Sequence, residues 1–429
     1  MTMQDNISVA SDSCPSLPQE LVDYILDFLH DDIPVLRTCS LVSNGFLPRS
    51  RHHIYSGVLI VHDMELDSFR EQHAGKLYRC GNFDALLKHS PHVGPLVRTL
   101  GMHTMSERLD DLCAYSSLHS IFHSLHNLSQ LQLVDQRDMT IWNFLPIVFR
   151  ELFLTTLRSS RITTLQLKGI AYATNNELED VFTAVANPVL KHLSIDSDFG
   201  EKTSSTFPLT IRQPANGLPE LESLSMSGDS MCHQIEYLFF NRSLYNVSHV
   251  RQLSLQLSSD TTGSVVQSLL DEMRDTLECL TLDVTHYADQ NNGFDLRRHK
   301  KLTSFYSVLF FTLNTWLLTI WFGPALQSLT TELLVDDWVI EPDAPTLTKV
   351  DAHIDKLALP MLQHAHVKLH DISHNVCSYF WCDGDYLPPG HDEWRNQVEE
   401  QMPLLSSKRI LEVDVVKQRY CVARANDSI

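Results

Sequence analysis

Four histidines lie close together at His364, His366, His370 and His374, with Cys377 and Cys382 just beyond. Imidazole and thiolate are common zinc ligands, and His370 with His374 would share one helical face at i, i+4 spacing. The framework is incomplete, because Cys-x4-Cys is loose and no second cysteine pair follows. With 22 histidines in the chain, such clusters also arise by chance. No metal and no cofactor are therefore expected. Cys39 precedes His52 and His53, a thiol and two candidate bases. It falls in the apolar stripe of a helix, however, and is expected to be a packing residue. Asp336-Asp337 before Trp338 is an acidic pair that spacing alone does not turn into an acid and a base. Neither G-x-x-x-x-G-K-[ST] nor G-x-G-x-x-G occurs to cradle a phosphate. No G-x-S-x-G elbow offers a serine nucleophile. The expectation is a protein with no catalytic residues that acts by binding.

The bulk properties agree. The chain has 429 residues, 43% of them hydrophobic and 20% charged, enough for a large core in more than one domain or in a repeat array. Its net charge of −20 argues against a general phosphate-backbone binder, so no nucleic acid is expected. Nine scattered cysteines, with no basic and apolar signal region, suggest reduced thiols in the cytoplasm or nucleus. Val308–Leu326 is strongly apolar, but Asn314, several threonines and Gly323-Pro324 interrupt it. Buried structure is expected there rather than a membrane span.

The most informative segment is 16–55. Pro18 and Pro34 each stand where a helix would begin, and Asp31 and Asp32 can cap the second. Leu21, Val22, Ile25, Leu26 and Leu29 form one stripe of helical period. Val35, Cys39, Val42 and Phe46 form another, with Leu36 and Leu41 off its line. Gly45 and Pro48 are expected to break the second helix, and a third is expected through Arg49–Tyr55. So short a helical set carries more large apolar residues than its own core needs, which points to a partner completing it.

Leu17-Pro18-x-Glu20-Leu21, then Ile25-Leu26-x-x-Leu29, then Leu36-Arg37-x-Cys39-Ser40-Leu41-Val42-Ser43, then Phe46, resembles an F-box. The run Cys-Ser-Leu-Val-Ser, followed by Phe-Leu-Pro-Arg-Ser-Arg, looks most like the F-box proteins of mushroom-forming fungi. The match covers about a tenth of the chain. Phe46 stands where many members carry tryptophan. The resemblance implies docking to the Skp adaptor, and through it to cullin and RING subunits of a ubiquitin ligase. It implies Leu17, Pro18, Leu21, Ile25, Leu36, Leu41, Val42 and Phe46 as the adaptor contacts.

After residue 90 the pattern apolar-x-x-apolar-x-apolar recurs. It appears as Val97, Leu100, Met102; Leu128, Leu131, Leu133; Ile162, Leu165, Leu167; Leu190, Leu193, Ile195; Leu221, Leu224, Met226; Val250, Leu253, Leu255; and Leu277, Leu280, Leu282. The last members of successive units are 31, 34, 28, 31, 29 and 27 residues apart. Alternation within each unit predicts a strand with one buried face. Glu177–Ala186, Gln234–Asn241 and Gly263–Asp275 read as intervening helices. One strand and one helix cannot bury their apolar faces alone, so units must stack. The pattern resembles degenerate leucine-rich repeats. Beyond Leu282 the period slips. Weaker strands are expected at Leu333 and Val335 and at Leu347 and Val350, with ILEVDVV at 410–416 closing the array. Asp383–Trp394 reads as a turn-rich surface loop.

The expected fold is therefore α/β: a disordered tail over 1–15, a three-helix F-box over 16–60, a leucine-rich-repeat-like solenoid with a curved parallel sheet over 61–400, and a capping segment over 401–429. The expected function is a non-catalytic substrate receptor. It would dock the adaptor through 16–55 and an unidentified protein substrate through outward positions such as Gln132, Gln166, His192, Ser223, Gln252 and Thr281. A Skp-bound protein outside a ligase, or a repeat scaffold with helices that merely cap it, are the alternatives.

Overall fold

The computed structural model describes residues 17–61, 77–104, 115–135, 140–159, 161–172, 174–185, 188–197, 218–228, 230–241, 244–258, 261–284, 293–310, 316–335, 346–371 and 391–417. The chain divides into two compact units, Met1–Thr104 with Asp110–Leu128, and Met105–Leu109 with Ser129–Ile429. The tail 1–15, Asp336-Asp337, Trp338, His374, Cys377, Cys382 and residues 383–390 lie outside the described residues.

The first unit opens with helices α1 (Gln19–Phe28), α2 (Ile33–Val42) and α3 (Leu47–Ser56). Pro18 stands at the cap of α1, and its carbonyl accepts the Leu21 and Val22 amides. At α2 the Asp32 carboxylate accepts the Val35 amide at 3.0 Å, the expected cap. The second helix stops at Val42, where Ser43 turns extended, short of Gly45. Pro48 starts the third helix instead of breaking the second, since a first-turn proline loses no helical hydrogen bond.

The buried faces differ from the expected stripes. Val22, Leu26, Ile33, Leu36 and Ile54 form the core, with Leu29, Cys39, Phe46 and Tyr55 packed partly against it. Leu21, Ile25, Val35 and Val42 lie outside. Both helices are apolar on two faces, so periodicity alone could not choose the inner one. Gln19 joins the first turn of α1 to the link after α2, its Nε2 donating to Gly45 O at 2.9 Å and to Asp23 at 2.8 Å.

The third helix runs directly into β1 (Gly57–Val61), where Val58 to Val61 are all buried. This strand pairs in parallel with β2 (Leu77–Tyr78) and β3 (Thr99–Thr104). Its run of consecutive apolar residues, typical of a parallel strand covered on both faces, lacks the alternation sought in the sequence. Helices α4 (Cys80–His89) and α5 (Tyr115–Ser124) belong to the same unit. Cys39, Cys232 and Cys279 are free thiols, as expected. Cys80 departs from that expectation, being disulfide-bonded.

The second unit repeats strand and helix. In chain order it contains β4 (Gln130–Asp135), β5 (Thr140–Ile141), α6 (Ile147–Ser159), β6 (Thr164–Lys168), β7 (Ile170–Ala171), α7 (Asn175–Val185), β8 (His192–Asp196), β9 (Ser223–Ser227) and α8 (Met231–Ile235). There follow β10 (Gln252–Gln256), α9 (Gly263–Glu272), β11 (Cys279–Asp283), β12 (Ser304–Phe310), β13 (Ser328–Val335), α10 (Thr346–Lys356), β14 (His364–Asp371), α11 (His391–Gln401), α12 (Pro403–Ser407) and β15 (Leu411–Lys417). Strands β5 and β7 pair separately. The others form a parallel sheet in the order β4-β6-β8-β9-β10-β11-β12-β13-β14-β15.

Within that sheet the leucines are in register. Leu131, Leu165, Leu193, Leu224, Leu253 and Leu280 are successive partners. Leu133, Leu167, Ile195, Met226, Leu255 and Leu282 repeat the row two residues on. All are buried. Leu178, Val181 and Phe182 of α7, and Val266, Leu269 and Leu270 of α9, bury one face of each intervening helix. The helix expected from Gln234 continues α8 as a π-helix over Glu236–Asn241. The α/β fold class is thus as expected: helices at the start, then strand–helix repeats stacked in a parallel sheet.

The late repeats explain why the period faded. Strand β12 continues the rows, but Ser307 stands opposite Leu282 and Thr331 follows it. The two hydroxyls are buried and 3.2 Å apart, satisfying each other where leucines would have packed. Leu333 and Val335 lie on β13 as expected. Leu347 and Val350 instead lie on α10, with Ile354 completing a buried i, i+3, i+7 face. Two apolar residues three apart fit a helix as well as a strand end. The expected closing strand is β15. In the apolar stretch Val308–Leu326, residues 311–315 lie outside the described residues, while Trp316, Leu317, Ile320, Phe322 and Leu326 are buried. No helix among the described residues is long and apolar enough to cross a membrane.

Leu253 lies in the middle of the ladder and Gln252 beside it points outward. Leu253→Ala is expected to cost about 2–5 kcal/mol and Gln252→Ala less than about 0.5 kcal/mol, read from urea midpoints. Equal shifts would contradict the assigned faces.

Candidate functional site

Among the described residues sixteen large apolar side chains are exposed, and eight of them lie between Leu17 and Val42. Leu21, Tyr24, Ile25 and Phe28 line one face of α1, opposite the buried Val22 and Leu26. Tyr24 and Phe28 meet edge to face with ring centres 4.8 Å apart. Leu17, just ahead of the helix, is exposed as well. Val35, Leu41 and Val42 expose apolar surface on α2, Leu41 being 87% exposed. Exposed apolar surface concentrated in one short segment makes this the candidate docking surface.

The eight residues singled out in the sequence separate in the structure. Leu17, Leu21, Ile25, Leu41 and Val42 are exposed apolar side chains, and Pro18 is exposed beside them. Leu36 is fully buried and holds the module together from inside. Phe46 is half-buried, packed partly on that core. Tyr24, Phe28 and Val35 belong to the exposed set but were missed. Tyr24 and Phe28 lie three and seven residues after Leu21, a helical spacing that would have found them.

An ion pair network fixes α1 against α3. Arg49 Nη2 donates to Asp27 Oδ2 at 2.7 Å, its Nε donates to Oδ1, and His53 Nε2 lies 2.7 Å from the same Oδ1. Hydrogen bonds from Arg49 and then His53 hold the Asp27 carboxyl down at about 2. These contacts use the side of α1 away from Leu21 and Ile25, so orienting the helix leaves its apolar face uncovered. Cys39 packs against the core, and no nucleophile–base pair is formed with His52 or His53 among the described contacts.

The outward face of the sheet is the second candidate surface. Gln132, Gln166, Ser194, Ser225, Ser254 and Thr281 are successive partners between the buried leucine rows. Of the outward residues named from sequence, His192 and Gln252 are exposed, and Gln132, Gln166, Ser223 and Thr281 are partly so. Beyond Thr281 the face becomes charged. Glu332 accepts from Lys368 at 3.1 Å, and His370 Nε2 lies 3.4 Å from its other carboxylate oxygen. Burial, and then a hydrogen bond to Glu332, pushes the Tyr306 phenol up.

No family model and no curated protein sequence matches the chain. Among solved structures it is similar to the leucine-rich repeat-containing protein LegL7 from Legionella pneumophila, with 15% identity and a TM-score of 0.35 over 66% of this chain and 89% of that one. It is also similar to the Rad7 and Elc1 complex in yeast, with 13% identity and a TM-score of 0.34 over 88% of this chain and 94% of that one.

The Asp27 network makes the helical module acid-sensitive. A carboxyl lowered from 3.8 to about 2 in the folded state stabilises fully above 3.8, and the gain is lost as pH falls through about 2. Asp27→Asn cannot titrate. The stability advantage of the wild type over this variant, followed by chemical denaturation, is expected to shrink across that window. A constant difference would mean that the carboxylate charge does not tie α1 to α3.

Proposed function

We propose that this chain is a non-catalytic substrate receptor that docks a Skp-type adaptor through its N-terminal helices and, through that adaptor, joins a cullin and RING ubiquitin ligase. The supporting observation is the second apolar face of α1, together with the exposed Leu41 and Val42 on α2. Leu17, Leu21, Ile25, Leu41 and Val42 combine exposure with the sequence pattern that resembles an F-box. An interface draws most of its energy from a few such anchors once a partner removes them from water. The repeat sheet then holds a protein substrate on its outward side chains. Bringing that substrate to a ligase raises the local concentration of its lysines, so the receptor itself needs no catalytic group. The proposed role belongs to the cytoplasm or nucleus.

Co-expression with a tagged adaptor tests this. Leu21→Ala with Ile25→Ala is expected to reduce co-purification at least about tenfold, as two lost anchors should. Leu17→Ala with Pro18→Ala should reduce it as well. These side chains are exposed, so the variants should retain the wild-type circular dichroism. A folded double variant that still recovers undiminished adaptor would refute the docking assignment. Recovery of adaptor without cullin would limit the protein to adaptor binding outside a ligase.

A further inference from the structure

His366, on β14, and Glu412 and Asp414, on β15, point outward from the last two strands of the sheet. Their register places His366 directly opposite Glu412, with Asp414 two residues along. The alternating Ala365, Val367 and Val413 are buried, which fixes all three ligand-type residues on the outward face. One imidazole nitrogen and a carboxylate oxygen from each acid lie within 4.8 Å of one another, and His366 Nε2 is 3.0 Å from Asp414 Oδ2.

We propose that these three side chains bind one divalent transition metal ion, of which Zn2+ is the best fit, and that the ion clips the final strand to the sheet. Mixed imidazole and carboxylate ligands suit zinc, with bonds of about 2.0–2.2 Å. Ligand atoms around one ion then lie roughly 3–3.5 Å apart in tetrahedral geometry. His366 and Asp414 already meet this spacing, and the exposed Glu412 brings a carboxylate oxygen within 4.8 Å of both. The nearby cation does not fill the place. Lys368 is the register partner of Asp414, but its ammonium is 3.1 Å from Glu332 and 5.8 Å from the Tyr306 ring centre, toward the other side of the strand. Asp414 is hydrogen-bonded to the imidazole, and the Glu412 carboxylate stands near both. Because β14 and β15 both supply ligands, binding would reinforce a sheet edge that its ladder with β14, helix α11 and the Arg395 Nε donation to Val413 O already hold. Three protein ligands leave a fourth position for water or for a side chain of a bound protein.

The test uses the full chain, freed of metal by chelator and dialysis, and calorimetric titration with Zn2+. One equivalent is expected to bind, with slowed amide exchange in β15. His366→Ala and Asp414→Asn should each weaken binding at least about tenfold, the size seen even for groups that only support a ligand. His364→Ala, on the same strand but outside the cluster, should not. A His374→Ala, Cys377→Ser, Cys382→Ser variant should bind as the wild type does. The proposal fails if there is no saturable binding at about 0.1 mM Zn2+. It also fails if binding survives the paired His366→Ala and Asp414→Asn changes, or if the downstream triple variant abolishes it.

Discussion

The leucine register of the parallel sheet is the constraint on which the second unit depends. Side chains alternate between faces, so moving one strand by a single residue would turn its leucines to water and its glutamines or serines into the core. Leu131, Leu165, Leu193, Leu224, Leu253 and Leu280 keep their places because each is buried by its neighbours across the ladder. The outward row of Gln132, Gln166, Ser194, Ser225, Ser254 and Thr281 follows from the same alternation. A surface available for recognition and a buried spine are two expressions of one register.

The first helices obey a different rule. Val22, Leu26, Ile33, Leu36 and Ile54 suffice for a small core, while a second apolar set remains outside. Asp27, Arg49 and His53 orient α1, and Gln19 secures its first turn, without covering that outer set. The polar contacts are partly exposed and individually weak, but they choose which face of the helix remains free. Local packing thus presents apolar surface that the module itself does not use.

Much of this was legible in the sequence. The recurring trios marked the buried strand positions because period-two alternation is hard to produce in any other element. The helices after Glu177 and Gly263 were visible for the corresponding 3.6-residue reason. Strand β1 was not, because Val58 to Val61 are buried on both faces and do not alternate. Strand β12 was obscured by Ser307, a hydroxyl made acceptable in a leucine row only by Thr331 on the next strand. That partner is a three-dimensional fact. Leu347 and Val350 were too few to distinguish strand from helix. In the candidate docking segment the apolar residues were all evident, but their division into core and surface was not: Leu36 went inside, and Tyr24 and Phe28 stayed out.

The two-faced character of α1 also bears on how the chain fares in a cell. A native surface that presents Leu21, Ile25 and Phe28 to water resembles, locally, the surface by which chaperones and proteases recognise unfolded protein. A chain with this face uncovered is exposed to triage even though its core is intact, whereas a chain with the face occupied is hidden from it. Turnover would then report occupancy rather than folding, and the amount of protein that persists would follow the supply of whatever covers the helix.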